Sequence, residues 1–323
     1  MMITVTGSLA FDYIMDFKGK FADNIMPDKI HKLNVSFLID KLQKQRGGNS
    51  GNIAYSLALL QTPTFILSTA GNDFSEYSKF LESSGVDTSN IQILKDKPTA
   101  TAFIMTDLSD NQISAFYPGA MSENINLTLN GIKTDFVVLT PDTPEAMFKF
   151  AKECQSLNIP YMLDSGMQLP ALESASLKEM ISGATVLIVN DYEFNLLKEK
   201  SGFSEADLLK QVKILIITFG EKGSLIQTAG LSDSPSRSQS PPGRWEIEPA
   251  KPHEVVDPTG AGDAYRAGFL AGYIKGLDLK VCGQMGSIAS CYAIEKYGTT
   301  NHRFTVQEFC QRYEENFGEE LSL

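Results

Sequence analysis

The chain has 323 residues, 42% hydrophobic and 21% charged, with 28 Lys and Arg against 39 Asp and Glu for a formal net charge of −11. That is enough apolar material for one large core. The acidic balance argues against nucleic acid or an anionic membrane as the main partner.

The opening MMITVTGSLAF lacks a basic segment ahead of a long apolar run, so a first β-strand is expected there, not a signal peptide. No apolar stretch reaches the length of a membrane span. The four cysteines (Cys154, Cys282, Cys291, Cys310) form no CxxC pair, and the three histidines lie far apart. This argues against zinc and predicts reduced thiols in a cytoplasmic protein.

Short apolar runs then follow in chain order: Ile3–Thr6, Thr64–Ser68, Phe136–Thr140, Tyr161–Leu163, Val186–Val189 and Ile214–Thr218. Most are continuous, not alternating, as in strands buried on both faces of a parallel sheet. Helix-length segments such as Asn52–Leu60, Pro144–Leu157 and Ser204–Lys210 separate several of them. The repetition predicts an α/β fold: a three-layer αβα sandwich with a mainly parallel central sheet. We expect one domain over residues 1–323.

Two regions break the rhythm. Residues from about 11 to 40 and from about 98 to 121 carry extra strand candidates. Thr101–Thr106 and Ile113–Tyr117 flank Asp107–Asn111, which suits a hairpin turn. These strands form either a small β lid or an edge hairpin of the main sheet. Farther on, the Ser- and Pro-rich Ala229–Gly243 follows the strand Ser224–Thr228 and reads as an exposed loop.

The strongest local signal is Val255-Val256-Asp257-Pro258-Thr259-Gly260-Ala261-Gly262-Asp263, followed by Ala264, Gly268 and Ala271 at helical spacing. It reads as a strand, a tight turn and a closely packed helix. The first turn of a helix offers unpaired N–H groups and the positive end of the dipole. Gly260, Ala261 and Gly262 leave room for a phosphate to reach them, and Asp263 stands where a carboxylate meets an attacking hydroxyl. The dipole is expected to keep the Asp263 pKa low. No GxxxxGK[ST] run and no HRD or DFG set occurs, so neither a P-loop nor a protein kinase is indicated.

Taken together, DPTGAGDAYRAGFLAG and the earlier QRGGNSGNIAYSLALL at Gln45–Leu60 resemble the C-terminal and N-terminal signatures of the ribokinase-like (PfkB) carbohydrate and nucleoside kinases. The resemblance spans Gly7 to about Gly298 and implies an ATP-dependent kinase with Asp263 as catalytic base and Gly260, Ala261 and Gly262 as the anion hole. It implies that Asp12, Gly47, Gly48 and Asn52 bind the acceptor. Asn190-Asp191-Tyr192-Glu193 matches the family's N-x-x-E motif, so Glu193 is expected to organise Mg²⁺, through water. Asn190 as a helix cap with Glu193 in the first turn is an equally open reading of those residues. Thr218, Gly220 and Gly223 resemble a T-x-G-x-x-G stretch under ATP, and Ser287 is expected to border the adenine. Some members bind K⁺, for which Asp257, Thr259 and Tyr297–Thr299 carry oxygen atoms.

The acceptor is a small molecule, a nucleoside or a sugar. Bulky groups at Phe11, Tyr13, Phe103, Met105, Phe116, Tyr117 and Met121, with Tyr117–Met121 and Asp164–Pro170, resemble the nucleoside-kinase branch, because a purine needs a flat apolar slot. This favours the 5′-hydroxyl of an adenosine-like nucleoside. Ribokinase- or fructokinase-type sugar kinases, and a non-catalytic sugar or nucleoside sensor, stay open. A nicotinamide oxidoreductase would want a GxGxxG turn after the first strand, which Gly7–Asp12 does not supply. Both monomer and homodimer occur in the family.

Overall fold

The computed structural model describes residues 1–25, 31–32, 34–109, 111–229 and 243–323. The strands are β1 Ile3–Thr6, β2 Ala10–Asp16, β3 Lys41–Gly47, β4 Thr64–Gly71, β5 Ile91–Leu94, β6 Ala100–Thr106, β7 Gln112–Tyr117, β8 Phe136–Leu139, β9 Tyr161–Leu163, β10 Val186–Asn190, β11 Ile214–Thr218, β12 Ser224–Thr228 and β13 Gly243–Ile247. The α-helices are α1 Phe21–Asn24, α2 Asn49–Leu59, α3 Ser75–Ser83, α4 Pro144–Leu157, α5 Ser174–Gly183, α6 Asp191–Ser201, α7 Glu205–Gln211, α8 Ala261–Ile274, α9 Leu279–Ile294 and α10 Val306–Phe317.

Among the described residues, nine strands form the main sheet in the order β13-β12-β11-β10-β9-β8-β1-β4-β5. All its pairs are parallel except β11–β12 and β12–β13. The continuous apolar runs are explained by what covers them. Successive residues of one strand enter opposite cores: Val186 and Ile188 join the core under α2, α8 and α9, while Leu187 and Val189 join the one under α4, α5 and α6. Both faces are therefore dry, and the polar ends of the strands are left to build a site.

A second sheet, β3-β2-β6-β7, stands apart from the first. The extra strands are thus a separate small lid, not an edge hairpin. Its first segment runs beyond residue 40, because β3 extends to Gly47 and pairs with β2, Asp12 facing Gln45 and Ala10 facing Gly47. Asp107 holds the β6–β7 connection by accepting the N–H groups of Ser109 and Asn111; Asp110 lies outside the described residues. So does most of the Ser- and Pro-rich loop, residues 230–242.

One expected strand is absent. Val255 and Val256 are exposed and irregular. The edge of the sheet is already taken by β13, and the backbone N–H groups of Val256 and Asp257 both donate to the Ile294 carbonyl at the end of α9, at 2.8 and 3.0 Å. The turn into α8 is hung on a helix terminus, not on a strand. No described helix is long and apolar enough to cross a membrane, and the four cysteines are unpaired.

Candidate active site

The site lies beyond the carboxyl ends of the parallel strands, where loops replace apolar pairs. On the lid side, Asp12 projects from β2 and Gly47 ends β3. A Cβ on Gly47 would sit 2.8 Å from the Asp12 carboxyl carbon, so only glycine lets this carboxylate lie flat against the strand. Gly48 follows with φ +89°, and a side chain there would come within 2.7 Å of Ser8 O and Ala10 N. The two glycines bend the chain directly into α2, whose first turns carry Asn49 and Asn52.

Both asparagines point at Asp263. Asn49 Nδ2 donates to Oδ1 at 2.9 Å and Asn52 Nδ2 donates to Oδ2 at 2.8 Å. Asn52 Oδ1 in turn accepts from the Thr299 hydroxyl at 2.8 Å, so both ends of its amide are engaged within the protein. Burial pushes the Asp263 carboxyl above the usual carboxylate range, with Arg266, Asn49 and Asn52 pulling it down and Asp164 adding to the rise. The expectation of a low pKa is thus overturned: desolvation outweighs the attraction of the helix end and its neighbours. Asp12 is pushed to about 6 by burial first, then by the charges of Asp263 and Asp257.

The opening of α8 is a tight glycine turn, as expected, but Ala261 N donates to Pro258 O at 3.3 Å, so of the Gly260, Ala261 and Gly262 set the Ala261 amide is already engaged. Gly260 takes φ +82° as its N-cap, and the helical ladder starts only with Ala264 N on Gly260 O at 3.0 Å. The amides of Gly262 and Asp263 precede that ladder and face the N-terminal end of the helix. Asp257 braces the turn by accepting Thr259 N and Gly298 N, both at 2.9 Å. This occupies both oxygens of the carboxylate expected to take part in a K⁺ site.

The donor half is built on strand ends. Asn190 and Thr218 are direct partners at the last position of β10 and β11. Asn190 caps α6 in a full capping box: its Oδ1 accepts Glu193 N at 2.7 Å, and Glu193 Oε2 accepts Asn190 N at 2.9 Å. The capping reading is therefore realised, and one Glu193 carboxylate oxygen remains for other work. Burial, helped by Asp164, raises the Glu193 pKa, opposed by the Asn190 amide and Arg266. Gly220, exposed at φ +59°, and Gly223 at φ +86° frame a short 3₁₀ turn after Thr218. Ser287 is buried, and its Oγ accepts Ala250 N at 2.7 Å, which ties α9 to the segment after β13.

No group of three or more His, Cys, Asp or Glu among the described residues is arranged to hold a metal. Glu193, with one carboxylate oxygen left over from the capping box, is the residue that would meet a phosphate-borne Mg²⁺ through water.

Two contributors, Asn49 and Arg266, were not singled out by sequence reasoning. Asn49 sits in the same NSGN segment as Asn52. Arg266 is nearly buried one turn after Asp263, and its Nε pairs with Asp164 Oδ2 at 2.6 Å. Its signal was a lone basic residue in the otherwise small and apolar helix AYRAGFLAG.

The lid also corrects the purine slot. By register Phe103, Met105 and Tyr117 share a face with Phe11 and Tyr13, opposite to Asp12. Met121 is buried beside Ala10 and Ala100, which lie on the Asp12 face by register, so it stays on the site side of the lid. The apolar residues on the Asp12 face are Ala10, Ile14, Ala100, Ala102, Ile104 and Phe116, beside the polar Gln43, Gln45 and Ser114, and Phe116 is 48% exposed. A two-residue repeat identifies which residues share a face but not which face looks at the site.

Comparison with known proteins places these features in a family. The pfkB family carbohydrate kinase profile matches residues 9–305. A nucleoside kinase of Methanocaldococcus jannaschii is 32% identical over 316 residues, covering 97% of each chain. The nucleoside kinase of Burkholderia thailandensis in complex with inosine superposes with a TM-score of 0.87 at 32% identity, covering 99% of this chain and 100% of that one. Its complex with ADP-inosine gives 0.84 at 34% identity, covering 98% and 97%.

Proposed function

The chain belongs to the pfkB family of carbohydrate kinases, a phosphotransferase with an alcohol group as acceptor, and on that footing we propose that it phosphorylates the 5′-hydroxyl of a purine nucleoside from Mg·ATP. The observation that carries this reading is the double amide clamp on Asp263 at the mouth of α8. A buried carboxylate held by two fixed donors, beside unpaired first-turn amides, places a proton acceptor next to an anion hole. The nucleoside substrate rests on the full-length relatives and on the apolar groups Ile14, Ile104 and Phe116 on the Asp12 face of the lid.

Asp12 accepts hydrogen bonds from the ribose hydroxyls, with Gly47 and Gly48 bringing backbone up to the sugar. The 5′-hydroxyl is then directed at Asp263, which takes its proton late in transfer, so that positioning matters more than base strength. The amides of Gly262 and Asp263 hold the migrating group. Asn52 serves this reaction chiefly through Asp263, since its amide is already spent on that carboxylate and on Thr299. ATP supplies the phosphoryl group, whose charge Mg²⁺ would neutralise when bound; Asn190, Thr218, Gly220, Gly223 and Ser287 would border the nucleotide, and Glu193 would meet the ion through water. Closure of the β3-β2-β6-β7 sheet excludes water, the competing acceptor. Any K⁺ requirement falls on the loop joined by Asp257 and Gly298, and substituting Na⁺ for K⁺ in the assay tests it.

The test is a competition. The protein is given Mg·ATP and a pool of adenosine, inosine, cytidine, ribose and fructose, and products are identified by mass spectrometry. A purine nucleoside 5′-monophosphate is expected. Sugar phosphates with no nucleotide would overturn the substrate; ligand binding with no product would make the protein a sensor.

A further inference from the structure

The interior behind the anion hole holds a charge that the reaction above does not use. Arg266 is 8% exposed and Asp164 1%. Long helical side chains lean toward the N-terminus of their helix, and i, i+4 pairs share a face. Arg266 follows this rule and runs up α8 past Gly262. A Cβ on Gly262 would lie 2.7 Å from Arg266 Nη1, so the glycine is needed to let the guanidinium reach the first turn. The Nε–Oδ2 pair with Asp164 at 2.6 Å, from the segment after β9, holds it there.

That position is costly. The guanidinium is desolvated and sits at the positive end of a helix dipole, where a cation is disfavoured. Burial works against its charge, yet Asp164, Asp263 and Glu193 together more than offset this and keep it protonated. The same cation thus acts on the proposed base and on the proposed Mg²⁺ organiser. Asp164 Oδ1 and Arg266 Nε are both buried without a well-aligned hydrogen bond, so the 2.6 Å contact between Nε and Oδ2 is an ion pair that leaves polar capacity on both sides. A purely structural ion pair would be expected to satisfy both partners and to need no glycine cleared in front of it.

Resting on the kinase reading above, we propose that Arg266, clamped by Asp164, is a positioning residue that places a fixed positive charge behind the Gly260–Gly262 turn, where it meets the negative charge building on the transferring phosphoryl group. Its contribution is therefore specific to the transition state and small for either substrate alone.

Removing one partner of a buried pair can unfold a protein, so the test uses Arg266→Gln and the double variant Arg266→Gln/Asp164→Asn, which removes both charges of the pair. Folding is followed by thermal unfolding. Calorimetry measures binding of inosine alone, ADP alone, and ADP with aluminium fluoride and inosine as a transition-state mimic. For the double variant we expect inosine and ADP affinities within about threefold of the parent, the mimic weakened at least tenfold, and kcat down roughly 100-fold with KM little changed. A folded double variant with parental kcat and parental affinity for the mimic would overturn the proposal. So would equal weakening of all three ligands, which marks a structural role. A parent protein that phosphorylates no nucleoside would instead overturn the nucleoside-kinase reading on which the proposal rests.

Discussion

Asn52 and Asp263 stand 211 positions apart in the chain and 2.8 Å apart in the fold, amide to carboxylate. Through this contact the helix that follows the di-glycine turn and the helix that follows the GAG turn become one site. Replacing Asn52 with Ala leaves one oxygen of a buried carboxylate unpaired, while the Thr299 hydroxyl keeps the Arg46 carbonyl as its acceptor. An unmet buried hydrogen bond costs about 1–3 kcal/mol, so kcat/KM should fall roughly 10- to 100-fold. Asn49→Ala should cost less, because that contact is partly exposed. The double variant should be non-additive, since both act on one carboxylate. Steady-state kinetics on the three variants checks this.

Gly47→Ala tests the lid side. The new methyl would displace the Asp12 carboxylate from the strand. We expect KM for the nucleoside to rise tenfold or more while KM for ATP stays near parental. Equal changes in both would point to a general distortion. Gly48→Ala should be worse for the fold itself, because its φ of +89° and its close backbone neighbours forbid a side chain; such strain costs of order 1–3 kcal/mol, which denaturant unfolding reads directly.

Asp12 gives the pH dependence. Its pKa of about 6 means that the carboxylate needed by the ribose hydroxyls is lost as pH falls through 6. Nucleoside kcat/KM should drop up to tenfold per unit below that point, and Asp12→Asn should be weak and lack this limb. The stability sign is the reverse. A carboxyl raised above its unfolded value contributes stability below about 4, and loses it as pH rises through 6. In the free protein, Asp12→Asn should therefore raise the melting temperature at pH 8 more than at pH 5.

His302 controls another part of the acid limb. Burial lowers its pKa to about 4, and its neutral ring packs against Tyr55 and Ser56. The unfolded chain protonates first, so stability is lost as pH falls from about 6.5 toward 4, at up to about 1.4 kcal/mol per pH unit. Denaturant melts of the parent and His302→Asn should show a shallower slope in that window for the variant.

How much of this was legible follows from what each residue sees. Strands β1, β9, β11 and β12 have the predicted bounds, and for β9 and β11 the reason is that a doubly covered strand is continuously apolar, whatever its neighbours. Strand β3, KLQKQRG, shows no such run because it lies on an open edge of the lid and is solvated. Val255 and Val256 mimic a buried strand in composition, but the sheet has no place for them. Asp263 is expected from the small-residue turn before its helix, whereas Asp12, Gly47 and Gly48 are expected only through the family resemblance. The Arg266–Asp164 pair and the raised pKa of Asp263 depend on burial and on contacts across distant segments, which no local periodicity encodes. The facing of the lid was likewise invisible until β2 was seen to turn Asp12, and not Tyr13, toward α8.

The most direct measurement is single-turnover phosphorylation of inosine by Asp263→Asn. The swap is nearly isosteric, so thermal unfolding and inosine binding should stay close to parental while the transfer rate falls about 10²- to 10⁴-fold. A folded variant that transfers phosphate at the parental rate would contradict the assignment of Asp263 as the group that takes the proton.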